Sequence, residues 1–157
     1  MPSKHIEGGD RLALALEDIS RKLKNNENLK VGFFEDQTYE DGTPVAMIAA
    51  VQDYGSPSLG IPPRPFFRNW AREVPRYCAM RVRALLKEND FDVEKSLSIL
   101  GEEMAEQLRQ SILDTNEPPL ADSTVRKKGS AKPLIDTWHM HDSVTFRVND
   151  EDDTGDY

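Results

Sequence analysis

Leu12, Leu16, Ile19 and Leu23 recur at steps of four, three and four residues, which lays one apolar stripe along a helix. Asp10 stands where an N-cap is expected, and the pattern dissolves in "KNNEN". In "LKVGFF", Leu29, Val31 and Phe33 alternate with their neighbours, the period of a half-buried strand. The polar loop "EDQTYEDG" leads to Thr43 as an expected N-cap and to Pro44 at the first helical position, where its missing N–H costs nothing. That short helix runs through "VAMIAAVQDY" and is expected to close at Gly55 in a left-handed conformation. Then "GSPSLGIPPRPFFRNW", Gly55 to Trp70, packs four prolines and three aromatics into sixteen residues. Prolines restrict their own φ and bias the preceding residue away from helix, so this stretch is an elbow with a set direction.

Two long helices follow. From the elbow to Asn89, a helical wheel gathers Phe67, Trp70, Val74, Tyr77, Cys78 and Leu85 on one side. Arg68, Arg72, Arg76, Arg83 and Lys87 gather opposite, within an arc of about 100°. Pro75 falls inside the pattern, where it would kink the helix or mark its true start. Arg81 falls on the apolar side, which makes sense only if its head reaches outward. A second helix is expected from about Asp92 to Leu113, carried by Leu97, Leu100, Met104, Leu108 and Ile112. "DTNEPPLADSTVRKKGSAKP" reads as a loop with one short helical turn, and "LIDTWHMHDS" as a compact link. "VTFRV" alternates Val144, Phe146 and Val148 as a last strand before the acidic "NDEDDTGDY". No internal repeat is evident.

The 157 residues suffice for one domain with a real core. A net charge of -8 argues against a surface that binds nucleic acid all over, though not against a local basic patch. A hydrophobic content of 38% is modest and suits a thin fold or one completed by neighbours. The single cysteine, Cys78, rules out an internal disulfide framework and fits a reducing compartment. No apolar run approaches membrane-spanning length, and "MPSKHIEGGD" lacks the apolar core of a signal peptide, so a soluble protein made inside the cell is expected.

Candidate chemistry is thin. There is no glycine-rich phosphate loop and no CxxC. "HMHD" offers His139, His141 and Asp142, but zinc sites generally take three or four ligands with a defined second shell, and surface or packing histidines are the plainer account. Cys78 on an apolar helix face reads as core filler rather than a nucleophile. Carboxylates are too numerous to single out a pair. No catalytic residue, metal or cofactor is expected, and the chain does not read as an enzyme. The arginine stripe has three readings: a solvated face paired with the chain's own carboxylates, a contact surface, or phosphate contact with DNA. The elbow, with Pro62, Pro63, Arg64, Pro65, Phe66 and Trp70, reads as a core clamp on the start of a helix, which can still orient an exposed stripe.

"TPVAMIAAVQDYGSPSLGIPPRPFFRNW" resembles a signature of the head–tail joining and tail-completion proteins of long-tailed double-stranded-DNA bacteriophages. In that family a short Ala-rich helix ends in an aromatic–Gly pair, and an "IPxRPF"-like elbow opens a long helix. "PPLADSTVRKKG" and "KPLIDTWHMHDSVTFRV" resemble the family's later block, which leads into a strand. The likeness spans about Leu29 to Val148, in the same order and with similar spacing. Trp138 stands where that block usually has glycine, so a different turn before the last strand is expected.

The resemblance implies an α+β fold, a small mixed or antiparallel sheet packed against two long helices, with an N-terminal helix. The expected division is a flexible N-terminus over residues 1–9, a single α+β domain over 10–149 and an acidic disordered tail over 150–157. It further implies a structural virion protein, made in the bacterial host cytoplasm, that forms a homo-oligomeric ring, a hexamer, at the head-proximal end of the tail. Its partners there are neighbouring neck and tail-tube proteins, with no membrane. DNA passing through the ring would meet it with at most non-specific contact. The alternative is a transient assembly factor not retained in the virion. In the ring reading Arg68, Arg72, Arg76 and Arg83 are the residues expected to face a neighbouring subunit or ring.

Overall fold

The computed structural model of the chain describes residues 9–23, 27–120, 122–128, 134 and 138–149. Along the chain come α1 (Gly9–Lys22), β1 (Leu29–Gly32), α2 (Val45–Tyr54), a 3-10 turn at Pro57–Leu59, α3 (Phe66–Glu88), α4 (Val93–Asp114), α5 (Asp122–Lys128), α6 (His139–Asp142) and β2 (Thr145–Val148). The architecture is α+β, with one small antiparallel sheet of β1 and β2 and two long helices packed with it. Expectations for residues 1–8 and for the acidic tail over 150–157 lie outside the described residues.

β1 and β2 pair antiparallel, with Leu29 opposite Val148 and Val31 opposite Phe146. The strands are far apart in sequence, so the sheet brings an early and a late segment of the chain together over α4. Gly101, halfway along α4, lets the sheet lie directly on the helix. A Cβ there would stand 2.3 Å from Cδ2 of Phe146 and 2.9 Å from Cδ1 of Leu29. Glycine inside a helix is disfavoured by about 1 kcal/mol against alanine, and close packing is the reason it is kept here.

Two apolar clusters result. One joins Phe66, Val45 and Ala49 to Leu108, Ile112, Met140 and Val144. The other sits between the long helices, around Leu85, Leu100 and Met104. Trp70 and Val31 pack against both, so the clusters share a seam. Asp92 caps α4, its carboxylate accepting from the Lys95 N–H at 3.0 Å.

Several element ends differ from expectation for local reasons. α1 begins at Gly9, so Asp10 lies in the first turn, favourable for the helix dipole without being the cap. α2 begins at Val45, and Pro44 takes the N-cap position in extended conformation, while Asp41 accepts from the Thr43 N–H at 2.9 Å. Gly55 has positive φ, +76°, but an extended ψ of 171°. α3 starts at Phe66 and runs unbroken through Pro75. The carbonyl that Pro75 leaves without a donor belongs to Ala71; both residues are exposed, where water can serve it. Trp138, in place of the resembled glycine, has φ +64° and ψ -7°, the left-handed region glycine favours. The turn is therefore built as a glycine would build it, with tryptophan bearing the steric cost and its ring set edge-on to His141 at 5.2 Å.

The stripe on α1 is real but lies outside the core of the described residues. No residue of α1 is buried, and Leu12, Leu16 and Leu23 are 62%, 57% and 46% exposed. The helix is held at its C-terminal end, where Lys22 Nζ donates to the carboxylate and the carbonyl of Asp90, each at 3.1 Å.

Replacing Gly101 tests the sheet-on-helix packing. Gly101→Ala should destabilise the protein by about 1–3 kcal/mol through overpacking, although alanine is the better helix former. Urea denaturation measures it, and a midpoint raised by the substitution would contradict the packing described.

Candidate functional site

The elbow is organised by a carboxylate that precedes it. Asp53, in the last turn of α2, is 2% exposed. Its Oδ1 accepts from the backbone N–H of Phe67 at 2.8 Å and of Arg68 at 3.2 Å. Oδ2 accepts from Arg68 Nε at 2.6 Å, and Arg68 Nη2 donates to the Asp53 carbonyl at 2.7 Å. α3 has Pro65 at its N-cap position, which offers no side-chain acceptor, so its first turn is capped from α2 instead. The negative charge also meets the positive end of the α3 dipole.

The remaining elbow residues hold the two helices at this angle. A Cβ on Gly55 would lie 2.7 Å from the Pro63 nitrogen and 2.8 Å from the Ile61 carbonyl oxygen, so only glycine lets the chain double back so closely. The Arg64 N–H donates to the Gln52 carbonyl at 2.9 Å, and the buried Arg64 side chain donates from Nε to the Pro118 carbonyl at 3.2 Å. Burial lowers the pKa of Arg64 from its ordinary value. Phe66 is fully buried, set edge-on to Phe33, and its carbonyl accepts from Ser111 Oγ of α4 at 2.7 Å. Trp70 is half-buried in the seam, and its Nε1 is enclosed without a partner among the described residues. Pro62 and Pro65 are half-buried, and Pro63 is exposed.

The arginine row divides. Arg68 is absorbed by the elbow, with its guanidinium also 4.5 Å from the Tyr54 ring centroid. Arg72, Arg76 and Arg83 are exposed and make no ion pair with any described residue. Glu102, Glu103 and Glu106 of α4 are taken by other arginines. Arg81 clamps Glu103 through Nε and Nη2 at 2.9 and 2.8 Å, and Tyr77 donates to the same carboxylate at 2.7 Å. Arg109 holds Glu102 and Glu106 at 3.4 and 3.1 Å. The off-pattern Arg81 is therefore a cross-helix clamp. It holds the Glu103 carboxyl below the usual range, while burial and the Glu103 contact push the Tyr77 hydroxyl up.

The groups considered for chemistry stand apart. His139 faces the Thr38 carbonyl at 3.1 Å and the Tyr39 ring, while His141 faces Asp142 at 2.8 Å. Among the described residues, no group of three or more His, Cys, Asp or Glu could hold a metal ion. Cys78 is half-buried, with Sγ 3.4 Å from Met104 Sδ, and burial raises its pKa, the opposite of what a thiolate nucleophile needs. No described helix is long and apolar enough to cross a membrane.

Sequence reasoning missed Asp53. The available signal was an acid in the last turn of a helix, where the dipole disfavours it, two residues before the closing glycine. No protein-family model, curated protein or solved structure matches the chain.

Two measurements check this geometry. Asp53→Ala should cost about 2–4 kcal/mol, because it removes a cap and an ion pair together, and Arg68→Ala about 1–3 kcal/mol, because it strands a buried carboxylate. A thermal melt unchanged by both would rule out the clamp. The Arg81–Glu103 pair sets a pH dependence. Its folded-state Glu103 pKa is depressed, so its stabilisation is full above the ordinary value of 4.5 and is lost as pH falls through the folded value. Melting temperature should therefore fall more steeply below about pH 4.5 in the native protein than in Glu103→Gln.

Proposed function

We propose that the chain is a structural subunit of a ring at the neck of a long-tailed bacteriophage, joining or completing the tail at its head-proximal end. The observation that carries the reading is the row Arg72, Arg76 and Arg83, exposed on α3 and unpaired with described residues in a chain of net charge -8. Arginine matches carboxylates bidentately and is enriched at protein contacts, so such a row suits the acidic surface of a neighbouring copy. Closed rings use two different patches per subunit, which makes charge asymmetry on one chain useful.

Exposed apolar side chains point the same way. Met47, Tyr54, Leu59 and Met80 lie outside the core at 53–70% exposure, together with the leucines of α1. The resemblance of "TPVAMIAAVQDYGSPSLGIPPRPFFRNW" to neck proteins supplies the biological setting. In this reading the elbow's role is mechanical. It fixes the direction of α3, and hence the angle at which the cationic row meets the next subunit. Passing DNA has at most non-specific contact with the ring. The subunit is a non-catalytic part of the virion.

The test is Arg72→Glu combined with Arg76→Glu. The circular dichroism spectrum should be unchanged and the stability read from thermal melting should stay within about 0.5 kcal/mol of the native protein's, since both side chains are exposed. Incorporation into phage particles should be lost. Normal incorporation with normal DNA retention would refute the contact role, and a native protein absent from finished particles would favour the transient assembly factor.

A further inference from the structure

Arg72, Arg76, Arg83 and Lys87 stand exposed along α3 without an ion pair among the described residues. At about 100° per residue they fall within about 60° of arc, with Ala79 between them and Glu73 on the flank. Arg72 with Arg76, and Arg83 with Lys87, are like charges one turn apart, which repel and weaken the helix. The same chain carries the opposite run. Residues 150–156, beyond the described residues, hold Asp150, Glu151, Asp152, Asp153 and Asp156 and no cation. We propose that this acidic segment folds back onto the cationic row of α3 in its own chain, and that the acidic surface of a neighbour displaces it. The docking stands on charge and reach alone, whereas the displacement rests on the ring reading.

The fold brings the segment to the right level. Asn149 is pinned beside Asn28: its N–H donates to the Asn28 carbonyl at 3.0 Å, and its Oδ1 accepts from the Asn28 N–H at 3.2 Å. The next residue, Leu29, packs on the same cluster as Val74, Cys78 and Val82, around Leu85. Asn149 is therefore level with the middle of α3, and the cationic row brackets that level on the outer side of the helix. To reach it the segment crosses one spacing between packed elements, about 10 Å, and half the girth of a helix, about 16 Å. Eight extended residues reach about 27 Å, and the long arginine side chains meet them partway. Asp153 and Asp156, the far half of the run, are the carboxylates this path brings to the row.

Other cations on the described surface suit the run less well. Arg21, Arg68, Arg81, Arg109 and Arg147 each hold a carboxylate already. Arg126 and Lys127 on α5 are successive, so they point about 100° apart and make no single face. Arg11 on α1 and Lys95 on α4 are single exposed charges. Blocks of like charge commonly serve as interaction segments, and a short tether presents this one to α3 at a millimolar effective concentration. A second copy in dilute solution does not match that. Each exposed ion pair is weak and screened by salt, so the docked run yields to a neighbour that brings further contacts with it.

Zero-length carbodiimide cross-linking reads the contact. Arg76→Lys and Arg83→Lys keep the charge and place amines beside the native Lys87, in the full chain at low ionic strength and high dilution. Mass spectrometry should find links from residues 150–156 to positions 76, 83 or 87, lost at about 1 M salt, where charges act over only about 3 Å. Isotope-labelled and unlabelled chains are mixed to identify the source. Links that join the two labels would overturn docking within one chain in favour of a second copy. Links only to Lys30, Lys95 or Lys127, or none at all, would overturn it outright. A second measurement neutralises the run with Asp150→Asn, Glu151→Gln, Asp152→Asn, Asp153→Asn and Asp156→Asn. A fluorescent oligoglutamate peptide should bind this chain about threefold to tenfold tighter than the native one. The gain should vanish when Arg76→Gln and Arg83→Gln are present in both chains, and a gain that persists reflects overall charge and counts against the docking. If the links fail while particles still contain the protein, the docking falls and the ring reading stands. If the links form and particles lack the protein, the docking stands and the ring reading falls.

Discussion

Asp53 gives its two oxygens to the first turn of α3 and to Arg68, and the path of the chain from α2 to α3 follows from that choice. A carboxylate 2% exposed is costly to bury unless each lone pair finds a donor. Here the donors are two backbone N–H groups that the proline-rich approach could not satisfy by itself, together with the Arg68 guanidinium. The prolines limit where the chain can go, Gly55 lets it return within contact distance, and the carboxylate selects one angle among those that remain.

That angle decides what the long helices present. With the start of α3 fixed by Asp53 and by the bond from Ser111 to the Phe66 carbonyl, α3 lies against α4 with Leu85, Leu100 and Met104 between them. Arg81 turns toward Glu103, and Arg109 collects Glu102 and Glu106. What remains outward on α3 includes Arg72, Arg76 and Arg83, which have no ion pair among the described residues, with Glu73 and Met80 exposed on the same helix. The electrostatics of the exposed face thus depend on how the α4 carboxylates pair with Arg81 and Arg109.

The apolar surface follows a similar logic. α2 is apolar on nearly every side, yet only Val45, Ala49 and Asp53 of its residues are buried. α1 is amphipathic and buries none. Such faces are ordinarily covered, and a subunit completed by its neighbours is one economical way to do so.

How much of this was legible in the sequence depends on range. Period and punctuation are local, and they placed both strands, both long helices and the elbow, because Leu29, Val31, Leu100 and Leu108 repeat at the spacing their own backbone imposes. They also marked the arginine face, since side-chain direction on a helix follows from position alone. Partner choice is not local. Asp53 and Arg68 are fifteen residues apart, Arg81 and Glu103 twenty-two, and Phe146 meets Gly101 only when the last strand folds across α4. A helical wheel put Arg68 in one class with Arg72 and Arg76, and only packing showed that the first is a clamp and the others are free among the described residues. The leucines of α1 make the same point in reverse. Their spacing determined that a stripe exists, but whether it is buried depends on what stands opposite, and on this chain nothing described does.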